Sequence, residues 1–266
     1  MNLGVRDPAG APDESAQLER DGYAVLPQVF TPAEVAGMRD EIDAAFERFP
    51  DERTRPDRAE FRYEMVNRSG ACQAALAHPR TLAVVEPLLG DDCHVIACTA
   101  WRNPSDFRGG PWHCDAGPHV PRPEGVPWDD RIPYPVFAVA THVMLQDCTR
   151  RDGPTAVVPG SHRSGRVAPL SMDEDLTYEG RSPVVLELSA GDVALFVSDA
   201  WHRGLAAQTG GRGRYFLQVH YGRRDIAQRI RTTDVVNHLS TDAIARATTE
   251  RARTVVGLHP PFFYDG

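Results

Sequence analysis

Past about residue 92 the chain breaks into short β-type runs, at residues 93–101, 136–145, 156–158, 184–188, 193–197 and 215–221. Clusters such as Asp152-Gly153-Pro154, Pro159-Gly160-Ser161 and Ala190-Gly191-Asp192 punctuate them with the residues that tight turns require. The alternation of strand and helix that a doubly wound parallel sheet needs is missing, and no G-x-G-x-x-G is present. Many short strands with turn punctuation predict a sandwich or jelly roll.

Helical patterns flank this region. Tyr23 and Val25 mark a short strand within residues 22–27, and Thr31-Pro32-Ala33-Glu34 forms a capping box with proline at the first helical position. Val35, Met38, Ile42, Ala45, Phe46 and Phe49 then repeat at helical spacing. Shorter helices are expected at residues 70–78 and 80–89, and a last one from a Ser240 or Thr241 cap through Val256, ended by Gly257 and Pro260. Residues 1–15 read as a flexible tail, and residues 16–266 as a single α+β domain, mainly β in its core, with that core at about 92–222. Two long loops stand out: residues 117–135, rich in proline, and residues 164–183, acidic in the middle.

Composition removes whole classes of chemistry. All 29 basic residues are Arg, so a Walker A lysine, a Schiff-base lysine and a Ser-Lys dyad are impossible. The net charge of −8 argues against a nucleic-acid partner. Five cysteines with no C-x-x-C spacing suggest reduced thiols. No apolar leader begins the chain and no run approaches about 18 apolar residues, so a cytoplasmic protein without a membrane partner is expected.

In Trp112-His113-Cys114-Asp115, positions i and i+2 of an extended segment share a side, so His113 and Asp115 can face one metal. Trp201-His202 ends the apolar run 193–197 and supplies a third donor. Two His and one carboxylate leave open coordination positions, as in non-haem Fe(II) oxygenases. Cys114 is the candidate fourth ligand of a closed zinc site, but points away from its neighbours in a strand. The returning run 214–221 begins with Arg214, whose guanidinium can take a carboxylate bidentately; Arg212, in the glycine turn, is its competitor.

In order, Asp21-Gly22-Tyr23, Trp112-His113-Cys114-Asp115, Gly153-Pro154-Thr155, Pro159-Gly160-Ser161-His162, Gly191-Asp192-Val193, Trp201-His202 and Arg214 resemble the phytanoyl-CoA dioxygenase-like family of Fe(II)/2-oxoglutarate-dependent oxygenases over residues 16–224. The resemblance implies a double-stranded β-helix (jelly roll, cupin-like) with flanking helices. It implies Fe(II) on His113, Asp115 and His202, with 2-oxoglutarate and O₂ as cosubstrates. Arg214 would hold the far carboxylate of 2-oxoglutarate, assisted by Thr155, with Thr99 and His142 as further cosubstrate contacts. Some members carry Ser where this chain has Gly204, and some carry Trp near His142. Related halogenases have Gly or Ala at the position of Asp115, so a carboxylate there argues for hydroxylation or another oxidative outcome over halogenation.

The expected reaction is oxidation of an unactivated C–H of a small molecule, such as a natural-product intermediate, with release of succinate and CO₂. Desaturation, epimerisation or oxidative cyclisation at the same iron, or a non-redox metal-binding jelly roll, are the alternatives. His220 shares a face with Arg214 and is either a core histidine or a substrate contact. His119 in the first long loop is either a solvated surface residue or a substrate contact, and Trp128 and Tyr134 in the same loop either stack on a ligand or anchor the loop. Ser161-His162 is read as a turn, since adjacent extended residues face apart and no G-x-S-x-G is present.

Overall fold

The computed structural model of the protein describes residues 13–50, 59–115, 117–228 and 239–258. Among the described residues nine strands form two antiparallel sheets. The larger runs in the order β1 (Tyr23–Leu26), β7 (Val193–Val197), β4 (Ala138–Met144), β9 (Arg214–Gly222), β3 (His94–Asn103), β2 (Glu60–Arg62), and the smaller in the order β6 (Val184–Leu186), β5 (Thr155–Val157), β8 (His202–Gly204). This is the expected jelly roll. The sheets face each other, with Val157 and Leu186 of the smaller packed against Ala194 of the larger.

Each central strand serves two environments because its side chains alternate between faces. Tyr215, Leu217, Val219 and Tyr221 of β9 join the main core. Arg214, Phe216, Gln218 and His220 face the space between the sheets. In β3 a bulge between Val95 and Ala97 reverses the alternation. Val95 is therefore in the core before it, and Cys98 and Ala100 after it. The reversal turns Trp101 and Asn103 to the inner space.

Helices cover the outer face of the large sheet. In α2 (Pro32–Arg48) the capping box forms as expected: Thr31 Oγ1 accepts from Glu34 N, and the Glu34 carboxylate accepts from Thr31 N. Its buried residues are Val35, Met38, Ile42, Ala45 and Phe46. The expected helices at 70–78 and 80–89 are α4 (Gly70–Leu76) and α5 (Pro79–Leu89), preceded by a single turn, α3 (Met65–Arg68).

Three expectations are corrected. Helix α1 (Asp13–Asp21) reaches into the stretch expected to be a tail, because Leu18 is fully buried and Ser15 Oγ donates to Val84 O at 2.8 Å; residues 1–12 lie outside the described residues. His202 does not end β7 but opens β8 in the other sheet, after a turn closed by Ala200 N donating to Val197 O. The single C-terminal helix is two, α6 (Thr241–Arg246) and α7 (Glu250–Val255). Ser240 caps the first, while the Thr249 hydroxyl accepts from Ala252 N and starts a second. Gly257 stops it at positive φ, and Pro260 lies outside the described residues.

All five cysteines are free thiols. No described helix is long and apolar enough to cross a membrane. Ser161 donates to Val158 O at 2.6 Å and accepts from Trp201 N at 2.8 Å, so its hydroxyl ties the end of β5 to the start of β8 and the pair Ser161-His162 is structural. The His162 ring lies against Gly22, where a Cβ would overlap it, with Nε2 donating to Glu19 O at 2.9 Å.

Burial pushes the His162 imidazole down to about 4. The folded state thus refuses a proton that the unfolded chain accepts near the ordinary value of 6.5. This stability is complete above that value and is lost as pH falls through it, by about 2 kcal/mol at pH 5. Urea unfolding at pH 7 and pH 5 should show the loss, and His162→Phe, which cannot take the proton, should show a smaller one.

Candidate functional site

His113 and His202 exchange backbone N–H···O bonds of 3.0 Å each, forming an antiparallel bridge, and Asp115 N donates to Ser198 O at 3.0 Å. Residues 113–115 are thereby laid as an extended strip beside β8. One donor atom from each of His113, Asp115 and His202 lies within 4.8 Å of the others. Both imidazoles are set by their other nitrogen: His113 Nδ1 lies 3.0 Å from Pro111 O and His202 Nδ1 lies 2.9 Å from Ala200 O. Each Nδ1–H donates to a backbone carbonyl, which leaves each Nε2 a lone pair for a cation.

Asp115 is exposed along its backbone, yet its side chain is only 14% exposed. Burial pushes its carboxyl up, but the imidazoles of His202 and His220 outweigh that and hold it well below the usual carboxylate range. His202 is likewise opposed by burial and raised by Asp115. His220 Nε2 lies 3.0 Å from Asp115 Oδ2, so this histidine bonds the Asp115 carboxylate. Cys114 points away, its thiol donating to Asp199 O, and burial pushes that thiol up to about 11.

The three donors border a cavity of about 420 Å³ between the sheets, together with Arg214, Thr155, His142 and His220. Arg214, 7% exposed, crosses from the large sheet to the small one and donates from Nη1 to Thr155 Oγ1 at 2.6 Å. Turned with its amide oxygen inward, Asn103 accepts from Arg214 Nη2 at 2.9 Å. Thr155 Oγ1 is 3.4 Å from His142 Nδ1. Burial first, and the Arg214 cation second, push the His142 imidazole well below its ordinary value, so it is a neutral acceptor. Thr99 pairs with Gln218 and is buried, but lies outside the cavity lining. Arg212 turns away to Asp147 O and Asp152.

Gly204 has a concrete reason to be glycine. A Cβ there would overlap the Arg214 guanidinium, so that head fills the space a side chain would need.

His119, Trp128 and Tyr134 do not line this cavity. Asp199, 2% exposed, accepts from His119 N at 3.0 Å and from Tyr134 Oη at 2.8 Å, and its other oxygen lies 2.5 Å from His119 Nδ1. Trp128 packs edge-on to Tyr134 and donates to Ile132 O. These residues pin the first long loop to the turn before His202. Asp199 was not legible in the sequence, since its partners His119 and Tyr134 lie 80 and 65 residues away and no local pattern marks it. Asn103 depends on the bulge and was equally hidden. Gln218 sits at even spacing from Arg214, a signal the sequence did carry.

Residues 18–215 match the family model described as phytanoyl-CoA dioxygenase (PhyH). The chain is 30% identical over 164 residues to the ectoine dioxygenase of Sphingopyxis alaskensis, an alignment spanning 57% of this chain and about half, 49%, of that relative. Among solved structures it resembles the non-haem α-ketoglutarate-dependent carbocyclase SnoK from nogalamycin biosynthesis, with a TM-score of 0.62 and 17% identity over 87% of this chain and 91% of that one. It also resembles EctD from S. alaskensis with 2-oxoglutarate and 5-hydroxyectoine, with a TM-score of 0.61 and 24% identity over 84% and 78%. These structural likenesses establish the shared fold, and the extent of the family match establishes membership: the chain belongs to the phytanoyl-CoA dioxygenase (PhyH) family.

Proposed function

We propose that the protein is an Fe(II)- and 2-oxoglutarate-dependent dioxygenase that oxidises an unactivated C–H of a small molecule, by hydroxylation of a natural-product intermediate. The observation that carries this reading is the convergence of two imidazoles and one carboxylate within 4.8 Å, on a cavity that also holds the buried Arg214. The donor set fits Fe(II): nitrogen and oxygen donors, both histidines fixed through Nδ1, and no thiolate to close the site. His113, Asp115 and His202 would hold the metal. Iron with 2-oxoglutarate and O₂ supplies an oxidant strong enough for an unactivated C–H, with succinate and CO₂ released.

The chain's own residues supply position and polarity. Arg214 presents a guanidinium fork already oriented by Thr155 and Asn103, ready for the far carboxylate of 2-oxoglutarate. His142, neutral, accepts a hydrogen bond from the Thr155 hydroxyl, whose oxygen lone pairs stay available to accept from Arg214. His220 occupies Asp115 Oδ2, which leaves Oδ1 toward His202. Phe107 and Phe216 flank the Arg214 guanidinium and keep water from it.

Anaerobic addition of Fe(II) and then 2-oxoglutarate should give a visible metal-to-ligand charge-transfer band that is absent in Asp115→Ala. No band in the wild-type protein with iron bound would overturn the reading. Arg214→Ala should keep the iron and weaken 2-oxoglutarate roughly thirtyfold, the loss of a charged hydrogen-bonded pair. Gly204→Ser should weaken it by about tenfold through displacement of the guanidinium. An unchanged affinity in both variants, read by titrating the band, would remove Arg214 from that role.

A further inference from the structure

A second cavity, of about 670 Å³, lies against the same ligand strip and shares His113, Cys114 and Asp115 with the first. The two differ in chemistry. The inner one offers Arg214, Asn103, Gln218 and His220. The outer one is walled by Trp112, Trp201, Val167, Pro169 and Leu170. Its charged residues are Asp115, committed to the donor set, and Arg166, which pairs with Glu124 at 2.6 Å. Its size suits a small organic molecule.

The apolar wall is held out deliberately. Leu170 is 92% exposed, Val167 64% and Met172 49%, although their loop is firmly fastened. Trp112, next to His113, donates from its backbone to Ser171 O at 3.0 Å and from its indole to Asp173 O at 2.7 Å. Trp201, next to His202, donates from its indole to Arg166 O at 3.0 Å, and Arg203 on the other side donates to Met172 O. All four bonds bind loop backbone and come from residues flanking the donor histidines. The loop therefore has its main chain fixed relative to the donors while its apolar side chains stand in water, an arrangement that costs free energy until something covers them.

We infer that residues 166–172 form the seat for the apolar body of the enzyme's own substrate, whose uncharged ring or acyl portion lies on Val167 and Leu170 while the carbon to be oxidised reaches past Cys114 to the donor set. The inference rests on the proposed oxygenase reading, and it names the substrate class as an amphipathic or apolar small molecule. The polar anchoring contacts stay in the inner cavity with the cosubstrate.

The test uses 1-N-phenylnaphthylamine, an uncharged apolar fluorophore, with the full-length protein. Its emission should rise on binding wild type and be quenched when Cu(II) occupies the donor set. Val167→Glu with Leu170→Glu should weaken the probe by about tenfold or more, the loss of two apolar contacts. Both positions are exposed, so the variant should still give the charge-transfer band with Fe(II) and 2-oxoglutarate. Equal probe affinity in wild type and variant, or emission indifferent to bound Cu(II), overturns the seat and leaves the oxygenase reading intact. Absence of the band in wild type overturns the oxygenase reading and the inference with it.

Discussion

A strand must send alternate side chains to opposite faces, and in this protein that rule divides structure from chemistry. Every second residue of β9 supports the helical core, and every other one faces the site, so a single nine-residue strand supplies Tyr215, Leu217, Val219 and Tyr221 to one and Arg214, Gln218 and His220 to the other. The apolar residues fix the register, and the register fixes the polar ones. A shift of one residue would put Arg214 among the helices and Leu217 beside the donors.

The site is held by a second layer of contacts as much as by its donors. Backbone carbonyls of Pro111 and Ala200 orient the two imidazoles, and Asn103 and Thr155 orient the guanidinium. The Arg214–Thr155 bond also spans the two sheets, so the position of the charge is tied to both of them by one contact. Asp199 carries this outward by pinning the loop that follows Asp115 to the turn that precedes His202.

Much of this was legible in the sequence because the signals are local. The capping box of Thr31 and Glu34, the turn clusters and the alternation from Arg214 to His220 each depend on neighbours within a few residues. The i, i+2 relation placed His113 and Asp115 on one side, although the segment is a bridge and not a full strand. What escaped depends on distance. Strand β2 has a lone large apolar residue, Phe61, and gains its identity by pairing with β3. The split between α6 and α7 turns on whether the Thr249 hydroxyl caps or points outward, which sequence leaves open. His119, Trp128 and Tyr134 carry the residue types of a binding loop, yet here His119 and Tyr134 bond a carboxylate supplied by a distant turn and Trp128 packs on Tyr134.

The bulge in β3 bears on how such a chain can change over generations. Downstream of it, Cys98 and Ala100 belong to the core while Trp101 and Asn103 belong to the cavity. One inserted or deleted codon between the bulge and Asn103 would exchange the two sets and break packing and chemistry together. The loops at residues 117–135 and 164–183 belong to neither sheet and carry no such phase. Length variation is therefore closed to the strands that hold the site and open to the loops around it, so descendants of this scaffold can reshape the rim of the cavity by loop editing while the geometry of the three donors and Arg214 is inherited unchanged.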